Sequence, residues 1–265
     1  MSEYQTYKDD EKKVQSMYSS YDEERRLNTT KASSVEFMTT MHYLEKYLKE
    51  GDSILDIGAG TGQYSFALAH KGYKVNTVEL SHHNVEVFRS KITQDDSIDL
   101  RQGNALDLSM YEDESFDVVL VFGPLYHLHN QEDKLRCLEE AKRVCKKNGL
   151  IYVAFIAHDL IPINEYCYNS EFFKSDEYDR DKLRVVDDPF VFHTVDECRA
   201  LLRDAHLSFI HEIATDGLSE TLADKINEMD DESFNEYFKY HLYLCEKPEL
   251  LGIIKSQEVL ITFWL

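Results

Sequence analysis

The spacing of apolar residues changes character along the chain. Before residue 51, Val35, Phe37, Met38, Met41, Tyr43, Leu44, Tyr47 and Leu48 fall three and four positions apart, the period of one helical face, and Gly51 ends the pattern. From Ser53 onward, short apolar runs alternate with helical periods. The runs 53–57, 74–79, 98–101, 116–122, 150–157 and 207–214 predict strands. Between them 63–70, 81 to about 91, 131–147 and 194 to about 205 predict helices. Ser81 supplies an N-cap hydroxyl, and Thr194 with Glu197 forms a Thr-x-x-Glu capping box. The runs FDVVLVF and LIYVAFIA are apolar at nearly every position, as in strands covered on both faces. Such alternation implies right-handed crossovers and a doubly wound, mostly parallel sheet of the α/β class.

Three stretches stand outside the alternation. Residues 1–50 form a helical N-terminal arm, whose part 17–30 (MYSSYDEERRLNTT) is markedly polar. Residues 159–192 are rich in Tyr, Phe and Asp without a clear period, and read as an insertion after the fifth strand. Residues 218–245 are acidic and helical in pattern, and 258–264 (EVLITFW) close the chain as a last strand. The expected organisation is therefore an arm or lid over 1–50 and one domain over 51–265, carrying insertions at 159–192 and 218–245.

Charge narrows the function. The 265 residues hold 29 Lys+Arg against 50 Asp+Glu, a formal net charge of -21. Such a surface repels a phosphate backbone and attracts cations, so no nucleic-acid partner is expected. The basic run 142–147 (KRVCKK) stands just before Asn148 and Gly149, where it complements the negative end of a helix. The cysteines, Cys137, Cys145, Cys167, Cys198 and Cys245, show no C-x-x-C spacing and read as reduced structural thiols. No apolar run is long enough to span a bilayer, and the polar N-terminus lacks a signal-peptide pattern. A cytoplasmic protein without a membrane partner is expected.

The most informative segment is LDIGAGTGQ, residues 55–63. Gly58, Gly60 and Gly62 lie between a strand and a helix, where backbone turns tightly and lets a ligand approach. A dinucleotide site reads G-x-G-x-x-G, and here the third glycine comes one residue early. Asp56 would oppose a pyrophosphate but pairs with an ammonium, such as the amino group of a methionine moiety. The turn thus favours S-adenosylmethionine over a nicotinamide dinucleotide. Glu79 ends the second strand nineteen residues after Gly60, near the usual offset of an acid that accepts from ribose hydroxyls. Gly103, Asn104 and Ala105 follow the third strand, where an adenine would lie.

LDIGAGTGQYSFALA, VEL, GNALDL and FDVVLVFGPLYHL stand in the order and spacing of class I S-adenosylmethionine-dependent methyltransferases, which the chain resembles over about residues 43–155. The resemblance implies a Rossmann-like sheet of seven strands with the last antiparallel, which fits EVLITFW. It implies that Asp56, Gly58, Ala59 and Gly60 hold the methionine end, and Glu79 and Leu80 the ribose and adenine. Asn104 and Ala105 would hold the adenine, and Phe122 would lie beside the amino group. Many related enzymes carry Asp where this chain has Asn104.

Ligands of open α/β sheets bind beyond the carboxyl ends of the strands. The loop 122–127 and the insertions 159–192 and 218–245 leave the sheet from that edge, which predicts a water-excluding lid and a small acceptor. Methyl transfer requires alignment, and a base only for acceptors protonated at neutral pH. His127 is the candidate base and Tyr126 a candidate for orienting the acceptor. Packing without a chemical role remains open for both. Tyr18 and Tyr21 are candidate substrate-binding aromatics, since ring faces attract sulfonium and ammonium centres, and anchoring of the arm is the competing reading. Arg25 and Arg26 read as part of a surface ion network. No histidine or cysteine spacing matches a metal site. The expected activity is methyl transfer from S-adenosylmethionine to an O or N nucleophile of a small molecule. The alternatives are a protein or RNA methyltransferase, or a non-catalytic S-adenosylmethionine-binding regulator. Nothing in the pattern indicates an oligomeric state.

Overall fold

A computed structural model describes residues 3–19, 27–251 and 258–263, with side chains placed over 11–19 and 27–251. Helices α1 (Glu3–Tyr18) and α2 (Lys31–Tyr47) precede the sheet. There follow β1 (Ser53–Ile57), α3 (Gln63–His70), β2 (Lys74–Glu79), α4 (His82–Lys91), β3 (Ile98–Gln102), β4 (Phe116–Val121), α5 (Gln131–Val144) and β5 (Cys145–Ala157). The strands stand in the order β3-β2-β1-β4-β5 and all pair in parallel. The chain leaves β1 in one direction for β2 and β3 and returns on the other side for β4, so strand order reverses between β1 and β4. A crevice opens at such a point beyond the carboxyl ends of the strands.

After β5 come α6 (Ile161–Tyr168), the short pair β6 (Tyr178–Asp179) and β7 (Arg184–Val185), and β8 (Phe192–His193), which extends the sheet beside the end of β5. Then α7 (Val195–Asp204), β9 (Ser208–Ala214), α8 (Ala223–Asn227), α9 (Asp231–Leu244) and β10 (Glu258–Phe263) complete the fold. β10 lies between β5 and β9 and runs antiparallel to both, so the expected seven-stranded sheet with an antiparallel last strand is present. Ser81 and Thr194 cap α4 and α7, the latter with Glu197 in the reciprocal box. No described helix is long and apolar enough to cross a membrane.

Both faces of the sheet are covered, which is why its central strands are apolar throughout. One face packs Cys137, Leu138 and Ala141 of α5 with Leu201 and Leu202 of α7, and the other packs Met41 and Leu44 of α2 with Tyr64 and Leu68 of α3. Burial of each such leucine stabilises the fold by about 1.5–3 kcal/mol. At the amino edge, Ser53 donates to Asp117 from its backbone N–H (2.9 Å) and hydroxyl (2.7 Å) and so locks β1 to β4.

One expectation needs correction. The helix expected over 131–147 ends at Val144, and β5 begins at Cys145 with a kink in which Asn148 takes φ 62°. Cys145 turns into the core there, and a side chain at Gly149 would meet its sulfur at 2.7 Å, which forces the turn into the strand itself. Lys142 and Arg143 of the basic run lie in the last turn of α5, as expected, and the run serves neighbours as well. Lys142 donates to the carbonyl of Ala205, the C-cap of α7, at 2.7 Å. Arg143 binds the Leu108 and Tyr111 carbonyls and pairs with Glu140 and Asp113, Lys146 pairs with Asp117, and Lys147 with Glu114. The insertion 159–192 is ordered around a small core of Ile161, Phe172 and Val185. Its elements run two to eight residues, too short for a period to show in the sequence.

Candidate active site

The crevice between β1 and β4 is walled by the turn at 58–62. Gly58, Gly60 and Gly62 all take positive φ, 77°, 56° and 91°. At Gly62 a Cβ would stand 2.5 Å from the Phe88 ring of α4, so the early third glycine lets α3 start hard against a neighbouring helix. The N–H groups of Gly58 and Ala59 bond the Val78 carbonyl (2.8 and 3.3 Å), and Gly60 N–H donates to Glu79 Oε2 at 2.9 Å.

Glu79 also accepts at Oε1 from Ser81 N–H (2.7 Å) and the Asn84 amide (3.4 Å). The carboxylate thus fastens the glycine turn to the start of α4, and Glu79 lines the crevice. Asp56, at the carboxyl end of β1, is 2% exposed. Ser65 Oγ donates to its Oδ2 at 2.6 Å, whereas Oδ1 is buried without a hydrogen-bond partner. Burial raises the Asp56 pKa to about 6, against the smaller opposing effect of the Ser65 bond.

Leu80, Gly103, Asn104 and Ala105 line the far end. Asn104 Oδ1 accepts from Leu106 N–H at 2.9 Å, an Asx turn that holds the loop against the crevice. The whole cleft encloses about 980 Å³, open mouth included. Its cover comes from α1, which contributes Glu11, Val14 and Tyr18, with Leu27 beyond it. Gln15 fixes α1 in place: its amide donates to the Leu80 carbonyl (2.8 Å) and accepts from His82 N–H (3.1 Å). Gln15 has no motif around it, and a polar residue on an amphipathic helix gives no sequence signal of what it grips.

At the near end Phe122 packs on Tyr64, ring centroids 5.1 Å apart, and both line the cleft. The Tyr126 hydroxyl donates to the Phe122 carbonyl. That bond commits the hydroxyl to holding the 122–127 turn, although the ring still faces the cleft. His127 is 7% exposed, and its Nε2 lies 3.0 Å from the Tyr18 hydroxyl, so the candidate base and the arm tyrosine meet. Burial drives the His127 pKa down to about 4, which keeps the ring neutral at pH 7. Tyr21, Arg25 and Arg26 lie outside the described residues.

The lid expected from several segments is narrower than foreseen. Residues 159–192 stand behind the cleft, where Phe190 packs on His127 (5.2 Å) and Val191 N–H bonds the Tyr126 carbonyl (2.9 Å). The 218–245 stretch packs on α2 through Ile226 and Phe234 against Ala32 and Val35. Neither segment is among the residues that line the cleft.

A cleft holding an uncompensated buried carboxylate beside a glycine turn fits a cationic, adenosine-bearing ligand. Residues 55–153 match the sequence profile of the methyltransferase domain family. Over those residues the chain is similar to class I S-adenosylmethionine-dependent methyltransferases. A demethylmenaquinone methyltransferase of Clavibacter sepedonicus is 35% identical over 114 residues, 43% of this chain and 44% of that one. A putative methyltransferase of Bacillus subtilis is 27% identical over 135 residues, 51% and 54% of the two chains. The chain therefore spans about half the length of the curated relatives it matches. Among solved structures, an S-adenosylmethionine-dependent methyltransferase from Methanosarcina mazei superposes with TM-score 0.55 at 20% identity, over 84% of this chain and 97% of that one. A putative sarcosine dimethylglycine methyltransferase from Galdieria sulphuraria gives TM-score 0.55 at 16% identity, over 96% and 98%. At such identities the likeness establishes the fold alone. Asp56 and Glu79 both line the cleft within the matched residues.

Proposed function

We propose that this protein transfers a methyl group from S-adenosylmethionine to an oxygen or nitrogen of a small molecule. The observation that carries this reading is the Asp56 carboxyl, buried and open at Oδ1 beside the glycine turn. An ionised carboxylate so placed needs a cation, and a methionine ammonium supplies one. The closed cover of α1 and the strongly acidic surface favour a small acceptor over a nucleic acid.

S-adenosylmethionine supplies an already activated methyl group, so the protein's task is alignment and exclusion of water. Phe122, Tyr64 and Tyr126 wall the near end and keep it apolar. Tyr18 and His127 handle the acceptor's proton. In the tautomer with Nε2 bare, the Tyr18 phenol donates to that nitrogen. As the phenol takes the acceptor's proton it passes its own to Nε2, and no charge is left on Tyr18. A ring whose pKa lies near 4 is a weak base, which suits an acceptor that releases its proton only as the new bond forms.

Calorimetry with S-adenosylhomocysteine and with NAD tests the reading. Binding of the first and not the second is expected, and the reverse result ends it. With a verified acceptor, His127→Ala is expected to lower kcat while leaving S-adenosylhomocysteine affinity within about twofold. Unchanged turnover would remove His127 from the proton path.

A further inference from the structure

The turn 187–191 closes the insertion just before β8 and is not among the residues that line the cleft. Its residues 188–191 nevertheless each reach the wall of the cleft from outside. Asp188 pairs with Lys13 of α1 (3.1 Å), and Pro189 bonds the His127 ring through its backbone. The Phe190 ring lies against the His127 ring, centroids 5.2 Å apart and planes 34° apart. The Val191 N–H donates to the Tyr126 carbonyl at 2.9 Å. Asp187 closes the turn on itself by accepting from the Phe192 N–H at 3.0 Å.

An imidazole can rotate about its bond to Cβ and can carry its proton on either nitrogen. Only one combination sets a bare Nε2 against Tyr18. Proline has no N–H, so at Pro189 the carbonyl accepts and the ring donates. Nε2 faces the Tyr18 hydroxyl at 3.0 Å, which leaves Nδ1, buried and without a side-chain partner, to carry that proton. The Phe190 ring covers a face of the imidazole, while Tyr126 (5.0 Å, 61°) and Tyr18 (5.6 Å, 76°) meet it edge to face. Rotation would break the Pro189 contact and drive the imidazole into one of these rings. The same turn also touches the helix that carries Tyr18, through Lys13. An exposed ion pair contributes little, so it steers α1 while the contacts with His127 carry the weight.

We propose that the turn 187–191 positions the proton path, with Phe190 fixing the plane of the His127 ring and the Pro189 carbonyl selecting the tautomer whose Nε2 accepts from Tyr18. This rests on the proton-path reading above. Phe190 acts through His127 and is a positioning residue. The insertion thus takes part in the reaction from behind the wall of the cleft.

Nitrogen NMR of labelled protein tests this, because it reports tautomer and titration of the imidazole directly. His127→Ala identifies the signal by its loss. In wild type one tautomer is expected, with the proton on Nδ1 and a pKa of about 4. Phe190→Ala uncovers and frees the ring, so both tautomers are expected, with the pKa raised toward the ordinary 6.5. Phe190→Tyr keeps the flat face and is expected to give the wild-type signature. The titratable neighbours do not produce such a shift. Tyr18 and Tyr126 stay uncharged in this range, His129 is the same in both variants, and Asp188 is exposed and paired with Lys13. With a verified acceptor, Phe190→Ala is expected to lower kcat at least about tenfold, with KM and S-adenosylhomocysteine affinity within about twofold.

A wild-type proton on Nε2, an alanine variant with the wild-type tautomer and titration, or a tyrosine variant that behaves as alanine overturns the proposal. So does a lower melting temperature with the ring signature unmoved, which would leave Phe190 as packing alone. Should Phe190→Ala fail to fold, Phe190→Leu keeps the volume, removes the flat face and decides by the same mixture of tautomers. Unchanged kcat in Phe190→Ala, where His127→Ala does lower it, also overturns the proposal. If His127→Ala itself leaves turnover intact, the proton-path reading falls on that variant, whatever Phe190 does.

Discussion

At the cofactor end of the crevice, polar groups are tied to one another. Glu79 takes up Gly60, Ser81 and Asn84, and Asn104 takes up Leu106. Asp56 Oδ1, Thr61 Oγ1 and Asn84 Oδ1 are left open there. Outside the cleft, Asn164, His241, Thr39 and Thr40 each bury an atom with no hydrogen-bond partner in the protein. The first end is therefore preformed by short-range bonds among β1, β2 and α4. The residues outside the cleft lie on α2, α6 and α9, far apart in sequence. Preorganisation of the donor end lets binding energy go into alignment rather than into ordering loops.

The largest effect that breaks this comparison is expected at Gly62. An alanine there takes an unfavourable positive φ and drives its Cβ into the Phe88 ring, and Gly62→Ala should destabilise by about 2–4 kcal/mol. Chemical denaturation measures it, and Phe88→Leu in the same chain should restore the part due to crowding. Next is Glu79→Ala, which releases two backbone N–H groups together with the Asn84 amide. S-adenosylhomocysteine affinity should fall at least about tenfold by calorimetry. Undiminished affinity would mean that the turn holds its shape without the carboxylate.

Asp56→Asn sharpens the comparison, because its two consequences have opposite signs. The folded pKa is raised to about 6 from 3.8, so ionisation is disfavoured in the ligand-free fold. The stability conferred by the protonated form is complete below the unfolded value and is lost as pH rises through about 6. Above that, the loss is about 3 kcal/mol. Asn removes this slope, and the ligand-free variant should melt higher than wild type at pH 7. Affinity moves the other way. Wild type should bind S-adenosylhomocysteine fully above about pH 6 and more weakly below it, and the variant should bind weakly with no such dependence. A variant that binds as wild type does would leave the carboxylate without its assigned ammonium.

How much of this was legible in the sequence follows the same division. Asp56, Gly58, Gly60, Glu79 and Phe122 lie within three residues of strand ends, so strand periodicity put them at one edge. His127 and Tyr18 were visible as residue types, but their 3.0 Å contact joins positions 109 apart and left no local pattern. The role assigned to Tyr126 did not survive intact, since a bond to the Phe122 carbonyl four residues back leaves no periodic trace.

The smallest effect, and the finest test of the preformed end, is at Gln15. Its two hydrogen bonds to Leu80 and His82 fasten α1 over the adenine end, while α1 adds little to either core beyond Val14. Gln15→Ala should therefore leave the melting temperature unchanged and speed S-adenosylhomocysteine dissociation about fivefold, the worth of roughly 1 kcal/mol. Gln15→Glu separates the two bonds. A carboxylate still accepts from His82 N–H but cannot donate to the Leu80 carbonyl, and it faces that oxygen with like charge. Its dissociation rate should match or exceed that of alanine. If stopped-flow measurements gave wild-type rates for both variants, α1 would not cover the bound cofactor, and the narrow cover would have to be sought elsewhere along the arm.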